Sequence, residues 1–182
     1  MKREQFIKKC VSKDVGVFAE VGVYKGYTAR IMSVNMIKGS ELYLFDTFEG
    51  LPNKSDEDNF HQIGDFDDAS YIDIVKIFEN NKEVFIHKGI FPEETSHEVR
   101  NKKFDFVHLD VDMYISYKES LDFFYDKMKI GGIILFDDYK YKSCEGATLA
   151  VDEFFSDKSE EVQKYGTTTN NRVTEGYYII KN

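Results

Sequence analysis

Residues 104–114 read FDFVHLDVDMY, and residues 131–139 read GGIILFDDY. In each, an apolar run breaks abruptly into acids. Phe104 to Leu109 gives way to Asp110 and Asp112, and Ile133 to Phe136 gives way to Asp137 and Asp138. The length and the β-branched and aromatic content of both runs predict buried strands. Between them, Tyr114 to Lys129 carries Ile115, Leu121, Phe124, Tyr125 and Met128 at roughly helical spacing, with Gly131-Gly132 as the stop. Strand, helix, strand of this size is a βαβ unit, so both acidic ends fall on the same edge of a parallel sheet. Four carboxylates converge there.

Acids gathered at the ends of buried strands repel one another unless something offsets them, and a hard divalent cation is the natural counter-charge. A single strand-end Asp is more often an acceptor for loop amides or a helix cap. For Asp110 with Asp137 and Asp138, on strands expected to be near neighbours, the metal reading leads.

The 182 residues suit one domain with a proper core, residues 1–182, with 1–13 as a short lead-in helix carrying Phe6, Ile7 and Val11 on one face. A hydrophobic fraction of 42% marks a globular chain, and a formal charge of −9 argues against nucleic-acid and membrane-surface partners, which select basic patches. Cys10 and Cys144 are far apart with no metal-ligand spacing, so a free-thiol cytoplasmic protein is expected. The N-terminus lacks the apolar run of a signal peptide, and no stretch is long enough to cross a bilayer.

Upstream, Val15 to Gly22 predicts a strand ending in Glu20 and Gly22. Gly26 closes the turn, and Tyr27 to Ile37 predicts a helix. This is the opening of a nucleotide-binding βαβ unit, although E-x-G-x-x-x-G lacks the spacing that cradles a dinucleotide pyrophosphate. Glu41 to Asp46 is the second strand, and its terminal acid stands where a ribose is held through its hydroxyls. Thr47 to Asp68 is a long polar loop, a length that usually signals function. Ala69 to Asn80 predicts a helix, Glu83 to His87 a strand, and Lys88 to Pro92 a turn into a short helix through Arg100. His87 and His108 fall on strands and read as structural. Ala147 to Phe155 is an amphipathic helix, and Glu161 to Thr168 with Tyr177 to Ile180 predict a hairpin at one sheet edge. The fold class is α/β: a Rossmann-like three-layer sandwich with a mostly parallel sheet and a C-terminal antiparallel hairpin.

The series FAEVGVYKGYTA, LYLFDTFEGLP, HKGIFPEE, FDFVHLDVDMYISYKESLDFFYDKM, GGIILFDDY and ATLAVDEFF resembles the macrocin O-methyltransferase family over about Phe18 to Phe155. That is a class I methyltransferase group dependent on S-adenosylmethionine and a divalent metal such as Mg2+. The resemblance implies that Glu20, Gly22, Tyr24 and Gly26 surround the amino-acid part of the cofactor and that Asp46, followed by Thr47, takes the ribose. It places Ser70, in Asp68-Ala-Ser70, near the adenosyl group and the adenine at Lys88-Gly89. Asp110, which also abuts the cofactor, maps with Asp137 and Asp138 to the metal positions, leaving Asp112 close by. Family members carry a longer segment ahead of the glycine turn for substrate lid and subunit contacts. Here nineteen residues precede Glu20, so the long loop is expected to share the covering role, and homo-oligomerisation is left open.

Methyl transfer to a sugar or other diol hydroxyl needs in-line approach and loss of a proton. Mg2+ on the three acids would bind two neighbouring hydroxyls and acidify one, with Asp112 as first choice of base and Asp110 beside it; a metal-bound hydroxide is the other candidate base, and Asp112 could equally be a fourth ligand. Three rivals stand against this. One is a methyltransferase-like domain that binds cofactor without turnover. The second is a Mg2+-dependent phosphatase of the haloacid-dehalogenase type, disfavoured because Tyr114 follows the DVD and about seventy residues follow Asp112. The third and weakest is a dehydrogenase.

Overall fold

Five apolar runs build the parallel part of a seven-stranded sheet. In chain order the strands are β1 (Val17–Val21), β2 (Glu41–Asp46), β3 (Val84–Lys88), β4 (Phe104–Leu109), β5 (Met128–Phe136), β6 (Gln163–Tyr165) and β9 (Gly176–Ile180), arranged β3-β2-β1-β4-β5-β9-β6. A separate two-stranded pair joins β7 (Thr168–Thr169) to β8 (Arg172–Val173). The computed structural model describes residues 1–166 and 176–182 in full and, between them, only the backbone of these two short strands. The rest of the expected Asn- and Thr-rich turn, including Thr167, lies outside the described residues. β3 to β5 are parallel, whereas β9 runs antiparallel to both β5 and β6. The C-terminal hairpin therefore closes the sheet edge as its alternating pattern predicts.

Alternation along the strands sorts the core into two layers. Phe18, Leu42, Leu44, Phe106 and Leu135 face α1 (Arg3–Val11), α2 (Tyr27–Asn35) and α3 (Tyr71–Phe78). Ala19, Val21, Phe45, Leu109 and Phe136 face α4 (Tyr114–Phe124) and α5 (Glu145–Phe155).

One boundary differs from expectation. The helix after the DVD motif stops at Phe124, a 3-10 turn covers Tyr125–Lys127, and β5 begins at Met128 and runs through the glycine pair. Buried Met128 pairs with Phe104, the register then shifts between Phe104 and Phe106, and Gly131 absorbs the irregularity at φ +80°. Gly131 and Gly132 form a bulge within the strand. The short helix expected through Arg100 is a 3-10 turn at Ser96–Val99.

Candidate active site

β1 is flanked by β2 and β4, so the chain order reverses there and the carboxyl ends of these strands part at a switch point, the place where open α/β sheets bind ligands. A cavity of about 190 Å3 occupies it. Seven candidate residues line it: Gly22, Tyr24, Asp46, Thr47, Gly89, Asp110 and Asp112. Asp46 ties its rim together, since Oδ2 accepts from the amides of Val23 (2.7 Å) and Tyr24 (2.8 Å) and Oδ1 from that of Phe48 (2.6 Å). Gly22 has a strict steric reason: at φ +86°, a Cβ there would stand 1.7 Å from the Asp110 carbonyl oxygen. The far wall holds Phe45, Phe91, Ser116 and Ser120. The Ser120 hydroxyl is buried there without a hydrogen-bond partner among the described residues.

Four residues expected beside the cofactor do not line this cavity. Glu20 points to the opposite face of the sheet from Val21, fully buried, with Oε1 2.9 Å from Nδ1 of His108. Gly26 is the left-handed N-cap of α2, and Ser70 caps α3 by accepting from the Asp73 amide at 3.3 Å. Lys88 turns outward to Glu49 at 2.7 Å.

The four expected acids do converge, but each in its own bonding environment. Asp137 belongs to a chain of alternating charge, Glu20–His108–Asp137–Arg3. His108 lies between Glu20 and Asp137, with Nε2 3.5 Å from Asp137 Oδ1, and Arg3 of α1 pairs with Asp137 Oδ2. Burial alone would lower the His108 imidazole, but the two carboxylates outweigh it and hold it at about 10. Burial likewise opposes ionisation of Asp137, yet His108 and Arg3 bring it down to about 2. Asp138 Oδ2 accepts from the amides of Val111 (3.1 Å) and Asp112 (3.0 Å) and lies 2.9 Å from the Tyr117 hydroxyl, so it pins the turn carrying the DVD motif. Asp110 makes no side-chain hydrogen bond among the described residues. Burial and then Asp137 and Asp138 push its carboxyl well above the usual range, and burial with Asp112 and Asp137 does the same to Asp138.

These atoms form overlapping donor sets. Oxygens of Asp110, Asp112 and Asp138 lie within 4.8 Å of one another, as do donors of His108, Asp110 and Asp137. The expected trio Asp110, Asp137 and Asp138 is thus split, with Asp110 common to both halves. Clustered carboxylate oxygens of this kind fit a hard cation, with Asp110 as the ligand whose lone pairs are uncommitted among the described residues.

Sequence spacing gave no signal for three further residues at the site. Arg3 reaches it from α1. His61 arrives on the long loop, which is fastened by buried Asp58 accepting from the Tyr114 amide at 2.9 Å and by Asn59 donating to Glu145 at 3.1 Å. Cys144 is the N-cap of α5, buried, with Sγ 3.4 Å from Asp112 Oδ1.

The sequence matches the family described as Macrocin-O-methyltransferase (TylF) over residues 2–164. No curated protein matches. Among solved structures, the O-methyltransferase NovP superposes with a TM-score of 0.78 at 23% identity, over 99% of this chain and 80% of that one. CalS11, a calicheamicin methyltransferase also described as a TDP-rhamnose 3'-O-methyltransferase, superposes at 0.77 and 18% identity, over 97% of this chain and 76% of its own. An O-methyltransferase from Bacillus cereus in complex with SAH superposes at 0.66 and 12% identity, over 98% and 80%.

Proposed function

The chain belongs to the macrocin O-methyltransferase family and is a methyltransferase, and on that premise we propose that it uses S-adenosylmethionine and a divalent cation to methylate a hydroxyl of a sugar or other small diol. The observation that carries the reading is the junction of two features at one strand switch point. A cavity bounded by Gly22, Asp46 and Gly89 opens directly onto Asp110, the member of an acidic cluster that makes no side-chain hydrogen bond among the described residues. The sugar acceptor is supported by CalS11, whose description names a TDP-sugar.

S-adenosylmethionine would supply the electrophilic methyl group, and a divalent cation such as Mg2+ would supply Lewis acidity toward the acceptor hydroxyls. Asp110, Asp137 and Asp138 would hold the cation, with Arg3 giving up Asp137 to it. Asp46 keeps one acceptor direction beyond its three amides, suited to a ribose hydroxyl. Phe45 and Phe91 would offer flat apolar faces to an adenine, and Ser120 a hydroxyl without a partner among the described residues to its edge. Asp112, which lines the cavity and whose carboxyl is pushed up by burial, would take the acceptor proton. The direct test supplies methyl-labelled S-adenosylmethionine with a panel of nucleotide sugars and catechol-like diols, with and without a chelator. Chelator-sensitive label transfer to a hydroxyl supports the reading, and label transfer insensitive to chelation removes the cation from it.

A further inference from the structure

A second cavity, of about 520 Å3, is lined by the rings of Phe60, Tyr139, Tyr141 and Tyr177 and by Lys140 and Lys142, with Ser143 at the start of α5. It shares no lining residue with the first cavity, yet two of its walls lead to Asp112, which lines that one. Phe60 precedes His61, whose Nε2 is 3.7 Å from Asp112 Oδ1. Ser143 precedes Cys144, whose thiol donates to the same oxygen at 3.4 Å. The second cavity therefore adjoins the carboxylate at which an acceptor hydroxyl would lose its proton.

Its chemistry differs from that of the acidic cluster. In a chain of formal charge −9, two lysines and no carboxylate line it among the described residues. Tyr139 and Tyr177 meet edge to face at 5.0 Å, while Phe60 and Tyr141 are 68% and 54% exposed. Rings left in water at a cavity are stabilised when a flat ligand covers them. Lys140 is partly engaged, with Nζ 4.6 Å from the Tyr139 ring centre and 3.5 Å from Asp152 Oδ2. Lys142 makes no ion pair or hydrogen bond among the described residues, so its ammonium is available to an anion. The turn carrying both lysines is held in place. Lys140, at φ +69°, donates its amide to the Thr148 hydroxyl at 2.9 Å, and the Tyr141 and Cys144 amides donate to the carbonyls of Asp138 and Tyr141.

We propose that this cavity binds a nucleoside diphosphate group that carries the acceptor. The base packs against Phe60 and Tyr141, Lys142 and Lys140 take the diphosphate, and the diol extends from it toward Asp112. A planar ring and a compact negative charge are the two features these walls complement. Aromatic rings stack on the face of any base, and lysine ammonium groups bind phosphate oxygens as point charges. The volume falls within the roughly 300 to 1,000 Å3 of small-molecule sites. The inference rests on the proposed function for calling the occupant an acceptor, whereas the binding site itself stands apart from it.

The test titrates the full chain by calorimetry with uridine, thymidine, adenosine and guanosine diphosphates. Saturating S-adenosylhomocysteine and a chelator are present, so that neither the first cavity nor a cation on the acids takes up the nucleotide. At least one diphosphate should bind, and its nucleoside and inorganic pyrophosphate should each bind at least about ten-fold more weakly. Lys142→Gln and Tyr141→Ala, both in the exposed turn, should each weaken the nucleotide at least about five-fold. Lys38→Gln, exposed in the turn before β2, should leave its affinity unchanged. Binding of none of the four, nucleoside or pyrophosphate binding as tightly as the nucleotide, or unchanged affinity in either turn variant would overturn the proposal. Methyl transfer to a diol by a chain that binds no nucleotide would overturn this site and leave the methyltransferase reading standing. Nucleotide binding without methyl transfer would do the reverse.

Discussion

The guanidinium of Arg3 forms an ion pair with Asp137, the first of the two acids that follow β5. With His108 on its other oxygen, Asp137 is held between two cations, one delivered by the first turn of the chain and one by the sheet. Arg3→Gln should therefore release Asp137 to a bound cation. Divalent-ion affinity measured by calorimetry should rise several-fold, while resistance to urea falls by about 1 kcal/mol. Unchanged affinity would show that Arg3 and the cation do not share Asp137.

The same chain sets a pH dependence. Asp137 has a folded pKa of about 2, below its unfolded value, so its stabilising contribution is present above about 4 and is lost as pH falls from there toward 2. His108 works in the opposite direction. Its folded pKa of about 10 lies above the unfolded value near 6.5, so its contribution is complete below about 6.5 and vanishes as pH rises through 10. Thermal melting between pH 7 and 11 should show an alkaline loss that His108→Gln reduces.

Asp137→Ala should abolish cation-dependent turnover while leaving S-adenosylhomocysteine affinity within a few-fold, because Asp137 does not line the cavity. Full activity of this variant in the presence of a chelator would contradict the cation's assigned place.

Ser120→Ala removes a buried hydroxyl that lacks a partner among the described residues. Deleting an unsatisfied polar group should be neutral or stabilising, by up to about 1 kcal/mol. If the hydroxyl meets the adenine edge, S-adenosylhomocysteine should bind several-fold more weakly to the same variant. Weaker binding without lower stability is the expected pair of results, read by calorimetry and thermal melting.

Gly22→Ala would place a methyl group inside the Asp110 carbonyl at a backbone angle that disfavours side chains. A loss of at least about 3 kcal/mol in urea unfolding is expected. A stable Gly22→Ala variant would mean that β1 and β4 do not approach as closely as they do here.

The apolar runs Phe18–Val21, Leu42–Phe45 and Phe104–Leu109 were legible because a buried parallel strand leaves its composition in one dimension. Glu41–Asp46 was legible to the residue. The start of β5 was not, since Gly131-Gly132 has the local signature of a helix stop and only the pairing of Met128 with Phe104 shows the bulge. Convergence of the strand-end acids followed from topology, but their division of labour did not. Which of Asp110, Asp112, Asp137 and Asp138 is pinned by amides, paired or left free depends on Arg3, His108 and Tyr117. No periodicity ties position 3 to position 137 or position 61 to position 144.

Calorimetric titration with S-adenosylhomocysteine, with and without Mg2+ and with NAD as control ligand, tests the central claim most directly. The account predicts binding of S-adenosylhomocysteine and none of NAD. Failure to bind S-adenosylhomocysteine would contradict the assignment of the cavity beside Gly22, Asp46 and Gly89 to the methyl donor.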